Sequence, residues 1–122
     1  MAKVLVIDDE AVITMVLEEI LLDAGYEVFT AANGLLGVEL LKKGLQPDLL
    51  IIDLLMPGMG GRDFLKTLRS NFKLPNIKVI LITGSVPNEK DFPPGGSYQD
   101  VICKPFDIYD VIKKVNHLLI TA

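Results

Sequence analysis

Val4-Leu5-Val6-Ile7-Asp8-Asp9 is a short apolar run that ends on two carboxylates. The figure returns at Leu49-Leu50-Ile51-Ile52-Asp53, and with other polar endings at Val79-Ile80-Leu81-Ile82-Thr83 and Val101-Ile102-Cys103-Lys104-Pro105. Such runs, rich in branched residues and closed by polar ones, read as strands buried on both faces, as in parallel sheets. Helical spacing fills the intervals. Ile13, Val16, Leu17, Ile20 and Leu21 follow one helical face, and Gly25 is placed to end that helix. Glu27 to Ala31 reads as a weaker second strand. Asn33-Gly34 signals a turn, and Leu36 to Lys43 reads as a helix before Gly44 and Pro47 interrupt it. Met56-Pro57-Gly58-Met59-Gly60-Gly61 reads as a flexible loop. Arg62 to Asn71 follows as a helix that buries Phe64, Leu65 and Leu68, and Ile108, Val111, Ile112, Val115 and Leu118 line a last one. Strands alternating with helices predict an α/β fold of βαβ units around a parallel sheet.

One crossover breaks the alternation. Between Thr83 and the fifth strand a helix belongs by symmetry, but Pro87, Pro93, Pro94, Gly95 and Gly96 oppose it. An interior proline costs a helix about 3 kcal/mol and a glycine about 1 kcal/mol. At best a turn around Asn88 to Phe92 is helical, and residues 86–97 read as an irregular crossover.

The 122 residues suit a single domain with a real core, half of them apolar and 23% charged. A net charge of −4 argues against a broad basic footprint for nucleic acid. The single cysteine, Cys103, forms no internal disulfide and fits a reducing, cytoplasmic setting. It lies in an apolar run and reads as a small buried hydrophobe. No apolar run is long enough to cross a bilayer, and Met1-Ala2-Lys3 leads into the first strand without a signal-like segment. His117 reads as a surface residue and the methionines as core or loop filler.

Taken singly, the polar strand endings have ordinary explanations. Asp8-Asp9 could cap a helix, Asp53 could close an Asx turn, and Thr83-Gly84 and Lys104-Pro105 could be loops. Together they deliver carboxylates, a hydroxyl and an ammonium to one sheet edge, the edge where open α/β sheets bind ligands. A hard cation such as Mg²⁺ takes oxygen ligands from one or two carboxylates, waters and phosphate oxygens. Without it, crowded carboxylates repel and at least one has a raised pKa. The set suits a divalent cation and a phosphoryl group.

The order Asp8-Asp9, Asp53 with Met56-Pro57-Gly58, Thr83-Gly84 and Lys104-Pro105-Phe106 resembles the receiver domain of two-component response regulators over essentially all of residues 1–122. The resemblance implies a flavodoxin-like, doubly wound five-stranded sheet of order 2-1-3-4-5, here with a degenerate fourth helix. It implies that Asp53 is the phosphoacceptor, fed by a phosphohistidine on a sensor histidine kinase or phosphotransfer protein. Mg²⁺ would be held by Asp8, Asp9, Asp53 and the backbone carbonyl of Leu55. Thr83 and Lys104 would contact the phosphoryl oxygens, and the Lys104-Pro105 peptide would be cis. Leu55 and Ser85 would flank the path of the hydrolytic water. No direct contact with nucleic acid or membrane is implied.

Three positions depart from the family pattern. Val101 replaces the Tyr or Phe that rotates inward on phosphorylation in many members. The Pro/Gly-rich crossover replaces the fourth helix, and Gly60 stands where an acidic residue is common. The first two bear on the face that members build from their fourth helix, fifth strand and fifth helix. A phosphohydrolase with an Asp nucleophile is the alternative from another class, but it wants a second acid two residues on, where Leu55 stands. A receiver-like module that binds without phosphorylation is a third reading; degenerate modules lose an acidic or lysine position, and all are present here.

Overall fold

The computed structural model describes residues 1–84 and 91–120. Five strands, β1 (Lys3–Ile7), β2 (Glu27–Ala31), β3 (Leu49–Asp53), β4 (Lys78–Thr83) and β5 (Asp100–Cys103), form one sheet in the order β2-β1-β3-β4-β5. All neighbours run parallel. The helices are α1 (Ala11–Asp23), α2 (Gly34–Lys42), α3 (Gly61–Asn71) and α4 (Ile108–Leu119). Among the described residues no α-helix lies between β4 and β5, in line with the prolines and glycines there. Ser85 and most of the expected turn around Asn88 lie outside the described residues.

Strand alternation sorts the core into two layers. Leu5, Ile7, Leu50, Ile52, Val79 and Leu81 face Leu41, Phe64, Leu65 and Leu68 of α2 and α3. Val4, Val6, Leu49, Ile51, Ile80 and Ile82 face Leu17 and Leu21 of α1 and Val111 and Val115 of α4. These apolar strand residues are all fully buried, which is why the runs show no alternating polarity. β5 is an edge strand and only Ile102 is fully covered there. The edge position corrects the expectation for Cys103, which is exposed. Met15 likewise points to solvent on α1, whereas Met56 and Met59 pack against the core. His117 is exposed, as read.

Local chemistry sets the helix ends. After α1 the N–H of Tyr26 donates to the Leu21 carbonyl and that of Gly25 to Leu22, a Schellman closure that requires the left-handed φ of 94° at Gly25. Gly44, with φ 104°, closes α2 in the same way. Asn33 is more than a turn residue. Its side chain accepts the Leu36 N–H at 2.9 Å and caps α2, which therefore starts earlier than the sequence suggests. The turn between α1 and β2 is tied to α4 through a hydrogen bond from the Tyr26 hydroxyl to Asn116.

Candidate functional site

β1 and β3 flank the point where the strand order reverses, and their carboxyl ends carry Asp8 and Asp53. Thr83 closes β4 and Lys104 follows β5, so all four expected positions reach one edge. Backbone bonds fix their heights: the Leu54 N–H donates to the Ile82 carbonyl at 2.7 Å, and the Lys104 N–H to Thr83 at 2.8 Å. The Lys104-Pro105 peptide is cis.

Lys104 Nζ is the hub. It lies 2.9 Å from Glu10 Oε1, 3.1 Å from Asp8 Oδ2 and 3.2 Å from Asp53 Oδ2. Asp8, Asp53 and Thr83 are buried. The approach to Asp8 is an ion pair without hydrogen-bond alignment, so the buried Asp8 Oδ2 accepts no hydrogen bond, the one such buried side-chain atom among the described residues. Its other oxygen accepts the Glu10 N–H at 2.8 Å. Asp53 Oδ1 accepts the Leu55 N–H at 3.2 Å, leaving Oδ2 toward Lys104.

Burial, helped by the charge of Asp8, pushes the Asp53 carboxyl above its ordinary pKa, against the pull of Lys104 and the Leu55 hydrogen bond. Burial alone would lower the Lys104 ammonium. The contacts with Glu10 and Asp8 and the charge of Asp53 outweigh it and hold the pKa above the usual lysine range.

Carboxylate oxygens of Asp8, Glu10 and Asp53 all lie within 4.8 Å of one another, a spacing that suits a single cation. The orphaned Asp8 oxygen and the all-oxygen donor set fit a hard ion such as Mg²⁺. Asp9 stands outside this group and is exposed. The backbone is still extended at Glu10, with φ −88° and ψ 108°, and alternate residues of an extended chain share a side. Asp8 and Glu10 therefore turn inward together. Glu10 is the residue that the sequence reading passed over, although it stands third in an unbroken acidic triplet.

The other expected positions surround this hub. Val101 is half-buried and packs against the layer under α2 and α3. The Leu55 side chain is exposed. Gly60 answers to a close approach: a Cβ there would lie 2.8 Å from the Leu54 carbonyl oxygen, so no acidic side chain fits this loop conformation.

Residues 4–116 match the family model described as the response regulator receiver domain. The sporulation initiation phosphotransferase F of Bacillus subtilis is 35% identical over 117 residues, covering 92% of this chain and 91% of that protein. The DNA-binding dual master transcriptional regulator RpaA of Synechocystis is 33% identical over 122 residues, which is 98% of this chain but 49% of that protein. The chain thus spans about half the length of that relative. Among solved structures, Vibrio cholerae chemotaxis protein CheY4 superposes with a TM-score of 0.87 at 32% identity, covering 98% of this chain and 99% of that one. Thermotoga maritima response regulator TrrA, in complex with Mg²⁺-BeF, gives 0.83 at 32%, covering 98% and 100%. With its strand order, its acidic edge and its lysine after β5, the chain belongs to the response regulator receiver domains, the phosphoacceptor modules of two-component signalling.

Proposed function

We propose that Asp53 is the residue that accepts the phosphoryl group, and that its conversion to an acyl phosphate throws the switch. The supporting observation is the convergence of Asp8, Asp53 and Lys104 at three strand ends around one ammonium. A carboxylate oxygen of Asp53 attacks the phosphorus of a phosphohistidine on a sensor histidine kinase or phosphotransfer protein. The new P–O bond forms as the P–N bond breaks, and the electron pair leaves on the imidazole nitrogen. Lys104 turns from a carboxylate to a phosphoryl oxygen, and the Thr83 hydroxyl donates to another. Asp8, Asp53 and the Leu55 carbonyl would hold Mg²⁺, with the exposed Asp9 turning in from solvent to join them, and the ion would supply positive charge against the transferring oxygens.

Receiver domains are switches rather than classical enzymes. The reset is a hydrolysis: water attacks phosphorus, the bond to Asp53 breaks, and inorganic phosphate leaves the carboxylate free. Leu55 flanks that approach, and Val101 relays the change at β5. Docking of a protein donor is supported by exposed apolar side chains around the edge, Val12 and Met15 on α1, Leu55, and Ile108 and Tyr109 at the start of α4. No described helix is long and apolar enough to cross a membrane, and the cytoplasm is the setting this reading implies.

Intact mass after incubation with acetyl phosphate and Mg²⁺ tests the assignment. One phosphoryl adduct is expected, absent with chelator and in Asp53→Asn; an adduct that persists in Asp53→Asn overturns it.

A further inference from the structure

We propose that Glu10 is a displaceable counterion that holds Lys104 in the resting state and restrains phosphorylation until it lets go. The inference rests on Asp53 being the phosphoacceptor and deepens that reading. A lysine ammonium has three N–H donors. Three carboxylates already surround this one, with Glu10 the nearest at 2.9 Å. Two of those donors are engaged, by Glu10 and Asp53, with the Asp8 oxygen at ion-pair distance, so a phosphoryl oxygen arriving on Asp53 competes with carboxylates for the ammonium.

The three carboxylates differ in what their release would cost. The Asp8 side chain is fully buried and would be left as a charge out of water, while Asp53 is itself the acceptor and stays beside Lys104 as the phosphoryl group arrives. The Glu10 side chain is 60% exposed and can swing to solvent with its charge hydrated. Its backbone meanwhile stays fixed. Glu10 occupies the N-cap of α1, its carbonyl accepts the N–H groups of Ile13 and Thr14, and its N–H is held by Asp8. The side chain takes no part in capping, which frees it for Lys104. The structure thus combines an anchored backbone with a releasable carboxylate that spans 94 positions of sequence to reach the lysine.

Glu10 also adds a negative charge at the mouth through which an anionic donor must come. Both effects have one sign: the carboxylate slows arrival of the phosphoryl group and competes with it for Lys104. Loss of the side chain leaves α1 capped as before.

The test compares phosphorylation by acetyl phosphate and Mg²⁺ in wild type, Glu10→Gln and Glu10→Ala, with Mg²⁺ affinity measured separately by thermal-shift titration. Both variants should be phosphorylated about two- to fivefold faster at low salt, the scale of one exposed ion pair. The gain should shrink at high salt as the charge is screened, a response that a purely structural role would not give. Mg²⁺ binding should persist, because the buried Asp8 and Asp53 carboxylates stay in place without the Glu10 side chain. Unchanged rates in a wild type that is phosphorylated normally would overturn the counterion role alone. Slower phosphorylation with weakened Mg²⁺ affinity would overturn it by making Glu10 a cation ligand. No adduct on Asp53 in any form would instead overturn the reading of the site itself.

Discussion

Replacing Lys104 by methionine removes the only cation within ion-pair distance of Asp8 and Asp53 among the described contacts, while keeping much of the side chain's length and apolar stem. Taking one partner from a buried ion pair costs about 3–5 kcal/mol, because the remaining charge stays out of water. The exposed contact with Glu10 adds little. The low end applies here, since Asp53 already has a raised pKa and can relieve the strain by binding a proton. Unfolding entropy of about 2.1 cal/mol/K per residue gives about 0.26 kcal/mol/K for a chain of this length, so about 3 kcal/mol lowers Tm by about 12 °C. Thermal unfolding by circular dichroism, in chelator near neutral pH, measures the loss. Its pH dependence has a definite sign. Asp53 has a folded pKa above its unfolded one, so its contribution is fully present at low pH and is lost as pH rises through the folded value. Without Lys104 that folded value rises further. The deficit of Lys104→Met should therefore be largest near neutral pH and shrink on acidification through the Asp53 titration. Lys104 itself stays charged throughout, because its own pKa is raised. An unchanged Tm near neutral pH, or a deficit that does not narrow in acid, would refute the electrostatic account.

Mg²⁺ should raise the Tm of the wild type, by about 2.7 kcal/mol of stability at a hundredfold excess over Kd; Asp9→Asn should weaken that response while leaving metal-free Tm near wild type, and an unaltered Mg²⁺ titration would remove Asp9 from the cation site. Gly60→Ala should cost about 1–3 kcal/mol in urea unfolding, since its Cβ meets the Leu54 carbonyl at 2.8 Å, and a neutral result would mean the loop yields freely. Tyr26→Phe should cost about 1 kcal/mol by loss of the bond to Asn116, and a stability equal to wild type would show that bond to be without net worth. Leu55→Asn should speed decay of the phosphorylated form after donor removal, because an amide can align a water where the leucine cannot; equal or slower decay would place control of water elsewhere.

The fold was legible where one physical signal dominates. Residues buried on both faces leave unbroken apolar runs, and these located β1, β3 and β4, while the strand order was implied by the resemblance to receiver domains. The signal fades toward the sheet edge. Cys103 sits in the same kind of run as Ile7, but β5 has a neighbour on one side only, and the edge leaves the cysteine in solvent. Helix starts were less legible than helix ends. Gly25 and Gly44 mark their closures because only a left-handed residue fits there, whereas Asn33 satisfies a turn and a cap equally well until the Leu36 N–H is seen to reach its side chain.

The site shows where reading along the chain stops. Strand termini are set by sequence-local signals, so Asp8, Asp53, Thr83 and Lys104 could be assigned to one edge. Which carboxylates meet depends on side-chain direction over two or three residues, and that is fixed by the turn from β1 into α1. An Asp-Asp-Glu triplet is compatible with Asp9 facing inward or with both of its neighbours doing so. The extended backbone at Glu10 selects Asp8 and Glu10 as a pair and leaves Asp9 facing solvent. The consequence is electrostatic as well as geometric. Three carboxylates around one ammonium leave the site with excess negative charge, and burial raises the Asp53 pKa instead of letting water disperse the charge. A folded domain that keeps such an arrangement gives up stability there, a pattern expected of a functional centre rather than of a structural ion pair. The same imbalance accounts for why a cation would be held at this edge, and why an exposed glutamate is the member of the set best placed to leave.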